Sequence, residues 1–183
     1  MRRSAQLLCF ALLLTGFFAT SAAAQTNIEP GAIAAGGHFG VFFPDEAFEK
    51  TIAIEGFGEY YATPNLSVRG LFGWARPGFE NVTEDHFRQV KLLFNGTYYF
   101  SRQNWLPFVT AGAGAYFVRQ LFEDEPDPDS ETRGGINFGL DTEYSLGDGA
   151  SVRAELRWEF ISEPTGLPDA SGLSLMFGYK RYF

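Results

Sequence analysis

Residues 152–160 read VRAELRWEF, and the order of those nine residues decides the fold. Val152, Ala154, Leu156, Trp158 and Phe160 fall on one side, and Arg153, Glu155, Arg157 and Glu159 on the other. Successive side chains of a strand point to opposite faces, so this alternation describes a strand with one apolar and one charged face. A helix would scatter the four charges around its circumference.

Working outward, the same period recurs through most of residues 25–183 and gives eight candidate strands, roughly 33–43, 51–61, 66–75, 88–100, 106–118, 135–146, 150–160 and 173–183. Each has about the ten residues that a tilted strand needs to cross a bilayer. The connections sort into two kinds. Residues 62–65 (ATPN), 101–105 (SRQNW) and 147–149 (GDG) are tight turns, whereas 44–50, 76–87, 119–134 and 161–172 are longer and rich in Pro, Asp, Glu and Gly. Short turns at one end and long loops at the other are the habit of membrane barrels, whose short turns face the periplasm. The reading is an all-β chain forming an eight-stranded antiparallel up-and-down transmembrane β-barrel.

The GDG turn offers a parity check, because paired residues of antiparallel strands must share a face. A three-residue loop sets Leu146 opposite Ala150, Tyr144 opposite Val152 and Glu143 opposite Arg153. Apolar residues meet apolar ones, and acid meets base. Gly149 would supply the left-handed position that such a loop requires.

The beginning of the chain reads as a secretory signal over residues 1–24. Arg2 and Arg3 lead an apolar stretch from Leu7 to Phe18, followed by Ala22, Ala23 and Ala24. That stretch is too short for a spanning helix, which needs about twenty residues. Cleavage after Ala24 would make Gln25 the new N-terminus and leave one barrel domain over 25–183. Cys9 would leave with the signal, so the remainder offers no disulfide, thiolate metal site or cysteine nucleophile. Without Arg2 and Arg3, acids exceed bases by ten. This balance argues against nucleic acid or anionic lipid headgroups as the main partner.

Alternation alone does not say whether the apolar face meets a core or lipid, and a soluble lipocalin-like barrel or a sandwich has the same pattern. Two features favour lipid. The polar face combines glycines with both signs of charge, at Glu55, Glu59, Arg69, Lys91, Asp141, Glu143, Arg153, Glu155, Arg157, Glu159 and Lys180, which suits a packed interior. Aromatics gather near strand ends, at Tyr60, Tyr61, Trp74, Tyr98, Phe100, Trp105, Trp158 and Tyr179, where amphipathic rings favour the headgroup layer.

The ending LSLMFGYKRYF, residues 173–183, resembles the last strand of small bacterial outer-membrane barrels of the OmpA and OmpX type. PFVTAGAGAYF, residues 107–117, resembles their glycine-alternating central strand. The resemblance implies that Gly178, Tyr179 and Phe183 belong to a signal read by the barrel assembly machinery, with Arg181 standing where the family usually has an apolar residue. It implies an outer-membrane location, contact with outer-membrane lipids and lipopolysaccharide, and a barrel without the peptidoglycan-binding domain of longer OmpA-type proteins. A monomer is expected.

The interior set holds six acids and five bases in a barrel just wide enough for side chains to fill it, so a nearly neutral salt-bridged plug is expected. A narrow channel for small or hydrophobic solutes would require those pairs to swing apart. The loop FEDEPDPDSE, residues 122–131, is rich in carboxylates but lacks the glycine turn of a dedicated calcium loop, and reads as a solvated segment. Lipid-modifying barrel enzymes use histidine with serine, and the chain offers only His38 and His86. His38 and Ser67 both face inward by parity, but no nucleophile motif surrounds the serine, and a hydrogen-bonded interior histidine is the expectation. No catalytic residue, metal or cofactor is assigned. The functional expectation is a non-enzymatic integral outer-membrane protein with a structural or surface-contact role: envelope integrity, or adhesion and binding through its loops.

Overall fold

The alternating segments form strands in the computed structural model, which describes residues 28–44, 49–76, 78–79, 82–101, 103–121, 130–162 and 171–183. The expected leader, the new N-terminus and most of the acidic loop lie outside the described residues. Eight long strands are present among those described: β1 (Ile33–Pro44), β2 (Thr51–Tyr61), β3 (Leu66–Ala75), β4 (Val82–Tyr99), β5 (Trp105–Leu121), β6 (Ser130–Gly147), β7 (Ala150–Ile161) and β8 (Gly172–Tyr182). The two-residue piece Gly78–Phe79 adds to the upper part of β4.

Each strand pairs antiparallel with the next in sequence. The first and last also pair, with Ala34 opposite Tyr182 and Pro44 opposite Gly172. The sheet therefore closes on itself, which removes the free edges of an open sheet.

The closed sheet is apolar on the outside. On β2, Ala53, Glu55, Phe57, Glu59 and Tyr61 are buried, while Ile52, Ile54 and Tyr60 are exposed. Phe39, Phe72, Phe94, Ile136, Leu140, Phe160 and Phe177 extend this outward surface around the barrel. In water such a surface would be costly at about 25 cal/mol per Å² of apolar area, whereas in a bilayer it is the solvated face. The soluble lipocalin-like arrangement is the inverse of this one.

Three features differ from the sequence reading. Strands β4, β5 and β6 continue well past the expected limits near residues 88, 118 and 135, because hydrogen-bonded pairing runs on to Arg119 with Ser130 and His86 with Leu121. Pairing needs only backbone groups, so it outlasts the apolar alternation. At the β6–β7 turn, Tyr144 opposes Val152 and Glu143 opposes Arg153, but Gly147 takes the place expected for Leu146 opposite Ala150. Asp148 and Gly149 both have positive φ, 50° and 70°, as a two-residue hairpin turn of the type matched to strand twist requires. Leu146 becomes the extra residue of a bulge, with Gly147 also at positive φ. Finally, Tyr61 is not part of an outer aromatic belt. It is fully buried inside, because its neighbour Tyr60 takes the lipid side.

The interior is layered. Ile28, Tyr61, Tyr99, Leu106 and Phe108 pack together at the end carrying the short turns, and Phe42, Ala53, Ala75 and Met176 at the end carrying the long loops. Between them lies a further group including Phe57, Leu71, Leu93 and Tyr116, together with the charged side chains.

Candidate functional site

Strand alternation delivers the eleven expected interior residues, Glu55, Glu59, Arg69, Lys91, Asp141, Glu143, Arg153, Glu155, Arg157, Glu159 and Lys180, to buried positions inside the barrel. Their long side chains bridge strands that share no backbone hydrogen bonds. Arg157 on β7 grips Glu55 on β2 with two bonds, Nη1 to Oε1 at 3.1 Å and Nη2 to Oε2 at 2.6 Å, the fork geometry that makes arginine–carboxylate pairs strong. Its Nε donates to Glu155 at 2.6 Å. Lys91 on β4 stands between Glu159 at 2.6 Å and Glu55 at 2.8 Å. Arg69 on β3 reaches Glu155 on β7 at 2.8 Å, from the opposite side of the barrel.

A second group lies toward the short-turn end. Lys180 on β8 is paired with Glu143 at 2.5 Å and Glu59 at 3.3 Å, and donates to the hydroxyl of Tyr61 at 2.7 Å. Tyr99 and Ser67 donate to Glu59, and Tyr182 donates to Glu143. Arg153 links the two groups, 3.6 Å from Glu59 and 3.7 Å from Glu155. Its guanidinium carbon also lies 4.9 Å and 4.7 Å from the ring centres of Phe57 and Phe108, so the cation is held partly by aromatic faces.

Ten of the eleven thus share ion pairs. Asp141 stands apart, accepting a hydrogen bond from Thr110 at 3.0 Å, with no cation at ion-pair distance among the described residues. The sequence reading overlooked Arg133, which is buried and paired with Glu131 at 3.3 Å. It also overlooked the hydroxyls of Tyr61, Tyr99 and Tyr182. The step of two from Glu59 to Tyr61 carried that signal.

His38 is buried, its Nδ1 is 3.3 Å from Glu55, and its ring stacks on Phe57 at 4.6 Å between centroids. The glycines opposite make this possible: a methyl group on Gly178 would collide with the His38 ring, and one on Gly36 with the Phe57 ring. Ser67 bonds Glu59 at the other end of the interior. Since His38 pairs with Glu55 and Glu55 with Gly73, six residues along β3 separate the serine from the histidine's level, about 20 Å of strand. The structure does not bring the two together. The side chain of His86 lies outside the described residues.

Of the three residues in the expected assembly signal, Gly178 contributes the space beside His38, while Tyr179 and Phe183 are exposed on the outer side. The Phe183 amide donates to the Ile33 carbonyl at 2.8 Å, fastening the chain's last residue to β1. Among the described residues, no cluster of three or more His, Cys, Asp or Glu side chains is arranged to hold a metal ion.

A closed sheet with a lipid-facing apolar wall and an ion-paired interior is the organisation of an outer-membrane barrel. The family model for the outer membrane protein beta-barrel domain matches residues 10–180. The chain belongs to this family. The outer-membrane barrel is also the shape found among solved structures. Neisserial surface protein A aligns with a TM-score of 0.66 at 13% identity, covering 85% of this chain and 98% of that one. OprG from Pseudomonas aeruginosa aligns with a TM-score of 0.64 at 13% identity, covering 85% and 97%. Ail, the attachment invasion locus protein of Yersinia pestis, aligns with a TM-score of 0.57 at 15% identity, covering 85% and 100%. No curated protein matches by sequence. At these identities the likeness is one of fold. Together the family and the fold make the chain an integral outer-membrane β-barrel protein, with its short turns toward the periplasm and its long loops outside.

Proposed function

We propose that this barrel is a non-enzymatic, monomeric scaffold that contributes to envelope integrity and carries loops for surface contact, and that its interior is a plug. The observation that carries this reading is the Arg69–Glu155 pair at 2.8 Å, which joins opposite walls. A water-filled channel at that level would need both groups to part. Moving either charge out of its partner's reach inside the barrel costs several kcal/mol, so the pair holds the lumen shut. The apolar groups at both ends of the interior act in the same direction by excluding water and solute.

The long loops supply the surface-contact half of the proposal. Ail, whose name records attachment and invasion, shares the barrel fold and has been crystallised with the heparin analogue sucrose octasulfate. An attachment role for the loops of this chain is an analogy with that protein. During biogenesis, Gly178, Tyr179 and Phe183 would be read by the barrel assembly machinery.

Planar-bilayer recording tests the plug. Purified protein is expected to give no steady conductance steps. Steady steps in the wild type that change when Arg157 or Glu159 is neutralised would replace the plug with the narrow-channel reading. Turnover of labelled lipopolysaccharide that is abolished by His38→Ala or His86→Ala would overturn the non-enzymatic assignment.

A further inference from the structure

The outward-facing residues of β3 run Leu66, Val68, Gly70, Phe72, Trp74, and the series continues to Arg76 just beyond the strand. Among the described side chains of β4 the outward series ends, toward the outside of the cell, with Leu92, Val90 and then Arg88. Among the described side chains of β5 it ends with Ala115, Phe117 and then Arg119. The register places Arg88 directly opposite Arg119. Ala75 opposes Gln89, so the next step sets Arg76 beside Arg88. The Arg76 backbone is fixed there by a hydrogen bond from Thr51 Oγ1 to its carbonyl at 2.8 Å. All three arginines are exposed.

Three neighbouring strands therefore carry a row of three guanidinium groups immediately above the apolar band, at the outer end of the barrel. Like charges directly opposite one another on adjacent strands are destabilising unless something neutralises them. The row's neighbours do not: Ile52 flanks Arg76 and Ser130 flanks Arg119, and among the described residues no carboxylate forms an ion pair with any of the three. In a chain with a net charge of −8, this is a local concentration of the opposite sign.

We infer that Arg76, Arg88 and Arg119 form a binding site for the phosphate groups of outer-leaflet lipopolysaccharide. Three points support this occupant. The row sits where the apolar wall gives way to the headgroup layer, so a lipid whose chains lie against Trp74, Val90 and Phe117 would bring its headgroup level with the arginines. Planar guanidinium groups pair with phosphate oxygens through two parallel bonds, which lysine cannot do. The anion also removes the repulsion between Arg88 and Arg119, so lipid and protein each neutralise a charge the other leaves exposed. The inference depends on the membrane placement and is independent of what the loops contact.

The test uses the full barrel folded in uncharged detergent micelles, titrated with deep-rough lipopolysaccharide or the same material dephosphorylated, with bound lipid counted by native mass spectrometry. Wild type is expected to prefer the phosphorylated form. The triple variant R76Q/R88Q/R119Q is expected to bind that form at least about ten-fold more weakly, and to match wild type on the dephosphorylated form. Arg181→Gln removes an exposed arginine at the periplasmic rim and is expected to change nothing. Equal binding by the triple variant, an equal loss from R181Q, or failure of wild type to distinguish the two lipids would each overturn the site. Heat-dependent gel mobility confirms that each variant is folded. The single variants R88Q and R119Q, each expected to show part of the loss, carry the test if the triple variant is not.

Discussion

Arg69 and Glu155 meet at 2.8 Å although β3 and β7 stand four strands apart whichever way the barrel is followed. Both side chains are sealed from solvent. Without Arg69, Glu155 keeps Arg157 at 2.6 Å and Arg153 at 3.7 Å, but Arg69 has no other ion-pair partner among the described residues, so Glu155→Leu is expected to lower stability by about 3–5 kcal/mol in urea titrations of the micelle-folded protein. The double variant R69M/E155L is expected to lose less than E155L alone, since it also removes the orphaned arginine. A double variant with fully additive losses would show that the pair is not an energetic unit.

The lipid-facing wall makes a prediction of opposite logic. Phe94 is 62% exposed on the outer surface, in the middle of the outward series from Val90 to Tyr98 on β4. Phe94→Arg would place a charge in hydrocarbon and is expected to cost about 2–4 kcal/mol by the same measurement. An unchanged urea midpoint would mean that this face does not meet lipid.

Two glycines separate steric need from mere smallness. Gly178→Ala drives a methyl group into the His38 ring and the Gly37 carbonyl, and is expected to cost about 1–3 kcal/mol. Gly58 faces outward with nothing within 4 Å of the added carbon, so Gly58→Ala is expected to fall within about 0.5 kcal/mol of wild type. Equal losses would remove the steric account of Gly178.

The Asp148–Gly149 turn is open to a backbone test. Both residues have positive φ, a region that costs an ordinary side chain about 1–2 kcal/mol. Gly149→Ala is expected to destabilise by about that amount, and Asp148→Gly to be neutral or mildly stabilising.

The leader is tested by mass. Protein extracted from envelopes is expected to have the mass of a chain beginning at Gln25. Retention of residues 1–24 would show that the segment is not a cleaved signal.

The sequence made the closed sheet legible because one property, side-chain period, governs both halves of the problem. The alternation in VRAELRWEF that sends Trp158 outward also sends Arg157 inward, and closure of the sheet then brings Arg157 across the interior to Glu55. What the sequence concealed depended on effects other than period. The upward extension of β4–β6 rests on backbone hydrogen bonds that carry no apolar signature. The bulge at Leu146 arises because Asp148 accepts a left-handed conformation that a single aspartate does not announce. Tyr61 lies near a strand end, where composition points to a headgroup-level ring, but its parity with Glu59 sends it inward. The arginine row was visible only once register set Arg88 against Arg119, since the two are thirty-one positions apart in the chain.

The uneven strand lengths have a consequence for access. β4, β5 and β6 have 18, 17 and 18 residues, against 10 to 12 for the other five. The barrel mouth therefore has a tall parapet on one side and a low sill on the other. Among the described residues the rim is lowest over β1, β2, β3, β7 and β8, so a large molecule approaching from the medium meets the strand ends of β4, β5 and β6 before those of the low side.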